Sequence, residues 1–195
     1  FANCRIDTLD NYNLPTRGIY LDLSYLVSRD KTEGEPSSVF AGSETDVSYE
    51  LGGTFTAATS FSRHTLVANI EAGLVESQNS SLPIDPQEIG GFLQLSGIPR
   101  NSLIGKNKAF GSLVYRYRWF DNDFGLFTSP FYLGASIEYG GVWSDPDIGL
   151  SDAPLYTAGS IFAGIDSPVG PITFAYGRTE NNFDSVYLIV GTSFK

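Results

Sequence analysis

Apolar and polar residues exchange places at every second position over most of the chain, and nowhere does a helical period persist. The first clear segment is 19–28, where Ile19, Leu21, Leu23, Tyr25 and Val27 share one face and Tyr20, Asp22 and Ser24 the other. In 45–57, Val47, Tyr49, Leu51 and Phe55 oppose Asp46, Ser48, Glu50 and Thr54, and in 64–76, Leu66, Ile70 and Leu74 oppose Asn69 and Glu71. In 108–119, Leu113, Tyr115, Tyr117 and Trp119 oppose Ser112, Val114, Arg116 and Arg118. Segments 131–142, 172–178 and 185–194 repeat the pattern. It is least regular in 155–166, where Tyr156 and Phe162 share a face with Ser160 and Asp166. Residues 2–8 alternate only weakly. These segments predict an all-β fold of about eight antiparallel strands.

The connections predict more. They are long after the first, third and fifth strands and short after the second and sixth, as in an up-and-down transmembrane β-barrel with long outer loops and short periplasmic turns. The expected domain is one eight-stranded outer-membrane barrel over 1–195, with 1–18 a periplasmic N-terminal segment and 77–107 a long outer loop. Both termini then lie in the periplasm.

Composition sharpens this picture. Charged residues are 17% of the chain, below the ~25–35% of a soluble surface. A net charge of −10 leaves nothing to follow a phosphate backbone, so nucleic acid is excluded as a partner. No apolar run approaches the ~18 residues of a membrane-crossing helix, so any crossing is made by strands. The lone Cys4 has no partner for a disulfide. The lack of methionine points to a processed product or a fragment.

A soluble lipocalin-like barrel would carry its charges on the outer wall. Here the polar face holds Ser, Thr, Gly and isolated charges, which suits a crowded lumen, and the only lysines are Lys31, Lys106, Lys108 and Lys195. Aromatics gather near strand ends (Tyr20, Tyr49, Trp119, Phe131, Trp143), as interfacial girdles do, and Phe194 is a terminal aromatic. On the lumen face Asp22, Asp46, Glu50, Glu71, Glu138 and Asp166 join Arg116 and Arg118. A low-dielectric interior requires such charges to pair. A packed polar core is expected in preference to an ion path, because about eight strands leave room for little but side chains.

Candidate chemistry is sparse, and no enzymatic activity, cofactor or metal is expected. There is no GxSxG elbow. The single histidine, His64, stands near Ser60, Ser62 and Arg63, a minor candidate for a lipid-modifying centre. Asp145, Asp147 and Asp152 lack the twelve-residue spacing of a calcium loop.

Three stretches carry a family resemblance. Residues 6–25 (IDTLDNYNLPTRGIYLDLSY), 90–119 (GGFLQLSGIPRNSLIGKNKAFGSLVYRYRW) and 167–178 (SPVGPITFAYGR) resemble the later strands, sixth outer loop and closing hairpin of the bacterial surface antigen superfamily. That group holds outer-membrane insertases, two-partner secretion translocators and patatin-like phospholipase translocators, and the patatin-like branch is the most similar. The resemblance implies a loop motif of Gly91, Ser96 and Gly97. Ser96 stands where insertases carry an arginine, and Ile98 replaces their usual aromatic, so that arginine's function is not carried over.

Family barrels have sixteen strands, which leaves alternatives. In the first, the chain closes on itself as a porin-like or structural eight-stranded barrel too narrow for its own loop. The loop then lies over the mouth or on the outer wall, where Phe92, Leu93, Leu95 and Ile98, with Tyr115, Tyr117 and Trp119, meet lipid or a neighbouring copy. That reading predicts a homo-oligomer enclosing outer-membrane lipid, assembled by the outer-membrane insertion machinery. In the second, the chain is the C-terminal half of a sixteen-stranded translocator or insertase that folds the loop into its lumen, and residues 2–7 are the tail of a preceding strand. A lipid-modifying enzyme around His64 is the third. Pairing between 19–28 and 185–194 separates the first two.

Overall fold

The alternating segments form strands, and the strands form one antiparallel sheet. The computed structural model describes residues 1–34, 42–77, 85–123, 128–167 and 170–191, with side chains described except at 30–34, 42–46, 122–123 and 128. In chain order the strands are β1 (Ala2–Asp7), β2 (Gly18–Gly34), β3 (Gly42–Phe61), β4 (His64–Ser77), β5 (Gln87–Ile89), β6 (Leu103–Gly105), β7 (Asn107–Asp123), β8 (Thr128–Trp143), β9 (Tyr156–Ser167), β10 (Gly170–Thr179) and β11 (Asp184–Val190). The sheet runs β1-β2-β3-β4-β7-β8-β9-β10-β11, and β5 and β6 form a separate two-stranded stem. No helix occurs among the described residues.

The sheet therefore has nine strands, not eight. The added strand is β1, whose alternation is weak because every one of its residues is exposed. It pairs with β2 from Ala2↔Tyr25 to Asp7↔Tyr20, and Arg5 Nε closes on Asp22 Oδ2 at 2.6 Å. Strand β2 thus has a neighbour on each side, and no pairing of β2 with β11 occurs among the described residues. Residues 192–194 of the expected last strand, Phe194 included, lie outside the described residues. The β2–β3 ladder also continues past its apolar part, to Gly34↔Gly42, because ladder hydrogen bonds need backbone and not an apolar face.

The two faces of the sheet differ in chemistry. Every long strand presents large apolar side chains outward, among them Ile137 at 68% exposure, Ile161 at 65% and Leu188 at 71%. Cross-strand register sets them side by side: Tyr117, Leu133, Ala163, Phe174 and Leu188 follow one another from β7 to β11. The opposite face buries Thr56, Ser112, Arg116, Ser136, Glu138, Ser160 and Thr173. Buried polar groups beneath a continuous exposed apolar face are the informative departure from ordinary burial.

What covers the polar face is the chain itself. Ile89, Leu95 and Ile98 pack on Phe110 of β7 and Ala158 of β9, with Tyr156 and Val142 beside them. Ala58, Val67 and Val114 form a second cluster with Leu9, Leu93 and Phe162. The irregular alternation of β9 has its reason here, since Tyr156 and Phe162 face inward to meet these covering segments. At the far end of β7 the register shifts between Arg118 and Phe120. The bulge leaves both Trp119 and Phe120 exposed, with Phe120 stacked on Phe131 at 5.2 Å.

Candidate functional site

The centre of the polar face is where the long loop lands. Its stem is anchored through Lys106, between two strands of the sheet: Val75 N–H donates to Lys106 O at 2.8 Å, and Lys106 N–H to Trp143 O at 3.0 Å. From this stem the chain turns through Gly90, Gly91, Leu93, Leu95 and Gly97, all at positive φ. That run of left-handed residues reverses the chain repeatedly and lays residues 91–98 flat against β7 to β11. Gly97 is fixed by space as well. A Cβ there would stand 2.5 Å from Phe183 O and 2.9 Å from Thr179 N, closer than any side chain is accommodated.

Ser96 is the contact point. Its backbone N–H donates to Glu138 Oε2 and its hydroxyl to Glu138 Oε1, both at 2.7 Å. The Ser136 hydroxyl also donates to Glu138 Oε1, at 2.5 Å, and accepts from the Ser160 N–H at 3.0 Å. Leu93 N–H in turn donates to Ser96 Oγ at 2.9 Å. Both Ser96 and Glu138 are fully buried. Glu138 therefore has three donors on its oxygens and no cation within ion-pair distance among the described residues. Backbone and hydroxyl donors disperse the charge of a buried carboxylate and so stand in for a counter-ion.

Further contacts hold the loop on either side. Gly97 N–H donates to Tyr187 Oη at 2.9 Å, and the Ser185 hydroxyl donates to Gly97 O at 2.9 Å. Phe92 packs edge-on to Phe162 and tilted to Tyr187, at ring separations of 5.4 and 5.6 Å. Gln94 Nε2 donates to Glu71 Oε1 at 2.9 Å, while Lys108 Nζ pairs with Glu71 Oε2 at 3.1 Å.

The placement of the loop corrects an expectation. Phe92, Leu93, Leu95 and Ile98 do not lie on the outer wall, because they pack on the inward Phe110, Tyr156 and Phe162. Tyr115 and Trp119 do stand exposed on the outer face, and Tyr117 is half-buried there. Leu82 and Ile84 lie outside the described residues.

Among the described residues, the charges expected on the lumen face do not join into one network. Asp22 is held by Arg5 and Asn3, Glu71 by Lys108 and Gln94, and Glu138 by serines. Arg118 turns back to Asp121 on its own strand at 2.6 Å, so it does not pair with acids of neighbouring strands. Glu50 is half-buried, and the side chain of Asp46 lies outside the described residues. Arg116 is separate again. It is buried, donates from Nη2 to Pro15 O, and has no partner at Nε. The partners Lys108, Gln94, Ser136, Ser160 and Tyr187 were not singled out from sequence; the inward parity of Ser136, two positions before Glu138, was the available signal.

Elsewhere, His64 Nδ1 meets Tyr115 Oη at 2.6 Å. The Ser60 hydroxyl is engaged with Thr16 O and Thr65, both at 2.8 Å. Asp145 accepts from Asp147 N–H within its turn, and no group of three or more His, Cys, Asp or Glu is placed to hold a metal among the described residues. Comparison with known protein families finds no matching model, and comparison with curated proteins finds no match.

Proposed function

We propose that this chain forms the wall of a large outer-membrane β-barrel of the bacterial surface antigen type, with its own loop as the plug of a passage for polypeptide or lipid. One observation carries the membrane reading. The sheet exposes Leu23, Leu66, Ile137, Ile161, Phe174 and Leu188 while burying a glutamate, an arginine and a row of hydroxyls. An apolar patch running across a whole sheet far exceeds the few hundred Å² that soluble proteins tolerate. Hydrocarbon around the sheet removes the difficulty.

Two observations support a barrel of more than eight strands. The free edge of β2 is occupied by β1, where self-closure as eight strands would require β11. The polar face also carries residues 85–106 and the 8–17 segment, more chain than an eight-stranded interior holds. A lumen wide enough for a plug is that of the sixteen-stranded translocators and insertases. The turn at residues 62–63 is then periplasmic and the loop opens to the outside. Lipid is the partner of the outer face.

A porin-like assembly of several copies is the second reading. The open edge of β11, with Val186, Leu188 and Val190 exposed, supports it, since an unpaired edge seeks another strand.

Reconstitution into vesicles with brominated acyl chains tests the membrane reading, with a Trp143→Phe variant reporting on Trp119 alone. Trp119 fluorescence is expected to be quenched by the bromolipid and shielded from aqueous iodide. The reverse pattern would sink the proposal. Sizing in detergent together with single-channel conductance separates the two readings. A copy-number-independent pore that widens when residues 87–105 are removed supports the plugged barrel, whereas conductance appearing only in oligomers supports the second.

A further inference from the structure

Arg116 is a buried cation in an unusual setting. Only 6% of its surface is exposed, and no carboxylate lies within 4.0 Å of it among the described residues. Its Nη2 is satisfied by Pro15 O, but Nε has no acceptor. With Asp10 acting on it only from beyond contact distance and one N–H unpaired, the buried guanidinium is incompletely satisfied. Structures keep such a group where something else completes it.

Beside it is a space for that something. Arg116 lines a cavity of about 90 Å³ between the segment around Leu14 and the inward residues of β3 to β10. One water needs only ~10–15 Å³ on such a measure, so the cavity accommodates a small organic molecule. Its walls are largely apolar, with Leu14, Phe92, Phe162 and Ile165 contributing, and a few hydroxyl and amide groups, Thr173 and Asn69 among them, interrupt them. Arg116 is the only cationic residue among those lining it.

We propose that this cavity binds a small aliphatic carboxylate, its head on the Arg116 guanidinium and its tail against Leu14 and the two phenylalanines. One guanidinium matches one negative charge, and planar carboxylate is the geometry a guanidinium edge recognises. A phosphate dianion would bring a second buried charge with no cation to meet it. An apolar lining with a few convergent polar groups is the usual make-up of a small-molecule site. The site shares Phe92 and Leu93 with the loop but neither Ser96 nor Glu138 lines it, and it goes beyond the barrel reading.

Side-chain ¹H–¹⁵N spectra of the full chain in a non-ionic detergent test this, with the Arg116→Lys variant identifying the Arg116 Nε–H signal. Butyrate is expected to move that signal saturably, and the neutral isostere butyramide to bind about tenfold or more weakly, as loss of a charge-assisted hydrogen bond implies. Inorganic phosphate is expected to leave it unmoved. A Leu14→Trp variant, which fills the cavity and leaves Arg116 in place, is expected to abolish the butyrate response. No saturable shift with butyrate overturns the proposal. So does butyramide binding as well as butyrate, phosphate binding better, or a Leu14→Trp response equal to that of the parent chain.

Discussion

Ser96 binds Glu138 twice, through its N–H and its hydroxyl, each at 2.7 Å, with neither residue reached by solvent. Forty-two positions of sequence separate them. Their contact pins the loop to β8, and removing the carboxylate leaves buried donors facing nothing. Glu138→Ala is expected to loosen the loop by about 1–3 kcal/mol, the cost of unsatisfied buried groups. Glu138→Gln, which keeps one acceptor, is expected to lose less. Limited proteolysis within residues 91–101 of folded protein, compared with the unfolding temperature in detergent, measures both.

Gly97→Ala and Gly177→Ala should act on the same contact from opposite sides. The first combines a φ of +107° with a collision on the Phe183 carbonyl, and the second puts a Cβ 2.4 Å from Ser96 Cβ. Both are expected to destabilise folded protein, the first more, since backbone strain of ~1–3 kcal/mol adds to the clash. Gly149→Ala, with nothing within 4 Å, is the neutral control. The fraction that resists unfolding in electrophoresis without heating reads the order.

Outer-face charges distinguish a sheet in lipid from a sheet in water. Ile137→Lys places a cation on the exposed apolar face, which costs ~2–4 kcal/mol near a bilayer midplane and almost nothing in water. Insertion into vesicles is expected to fall sharply. An unchanged insertion yield would count against the membrane reading directly.

Asp10 predicts a pH response in the 8–17 segment. Partial burial raises its pKa, but the Thr16 hydroxyl and the N–H groups of Thr16 and Arg17 outweigh this and lower it from 3.8 to about 2. A depressed carboxylate stabilises the fold above its unfolded pKa, and that contribution disappears as pH falls through the folded value. The segment should hold above about pH 4 and loosen towards pH 2. Amide proton shifts of Thr16 and Arg17 are expected to titrate with a midpoint near 2 and to lose that step in Asp10→Asn.

Much of the fold was legible because period-two alternation survives wherever one face meets a uniform medium. The segments from Ile19 onward all became strands at about the expected places. β1 was hard to read because no covering segment packs on it, so nothing required regular alternation. The loop was misplaced for a different reason. The self-closed reading sends its apolar residues to the mouth or outer wall because eight strands leave no room for the loop, yet Phe110, Tyr156 and Phe162 on the inward face supply the apolar surface they pack on. Tyr156 and Phe162 are visible in the sequence as irregularities of pattern. Their meaning depended on what packed against them, which alternation within one strand does not encode.

Tyr187 gives the edge strand a second duty. Among the described residues, strand β11 is held to the sheet on one side only, by its ladder with β10, and its inward Tyr187 and Ser185 grip Gly97. Peeling β11 from β10 therefore drags on the loop, and displacing the loop removes two of the ties that keep β11 seated. The edge strand and the loop are mechanically linked, like a latch whose bolt is also a hinge pin: neither moves far while the other stays.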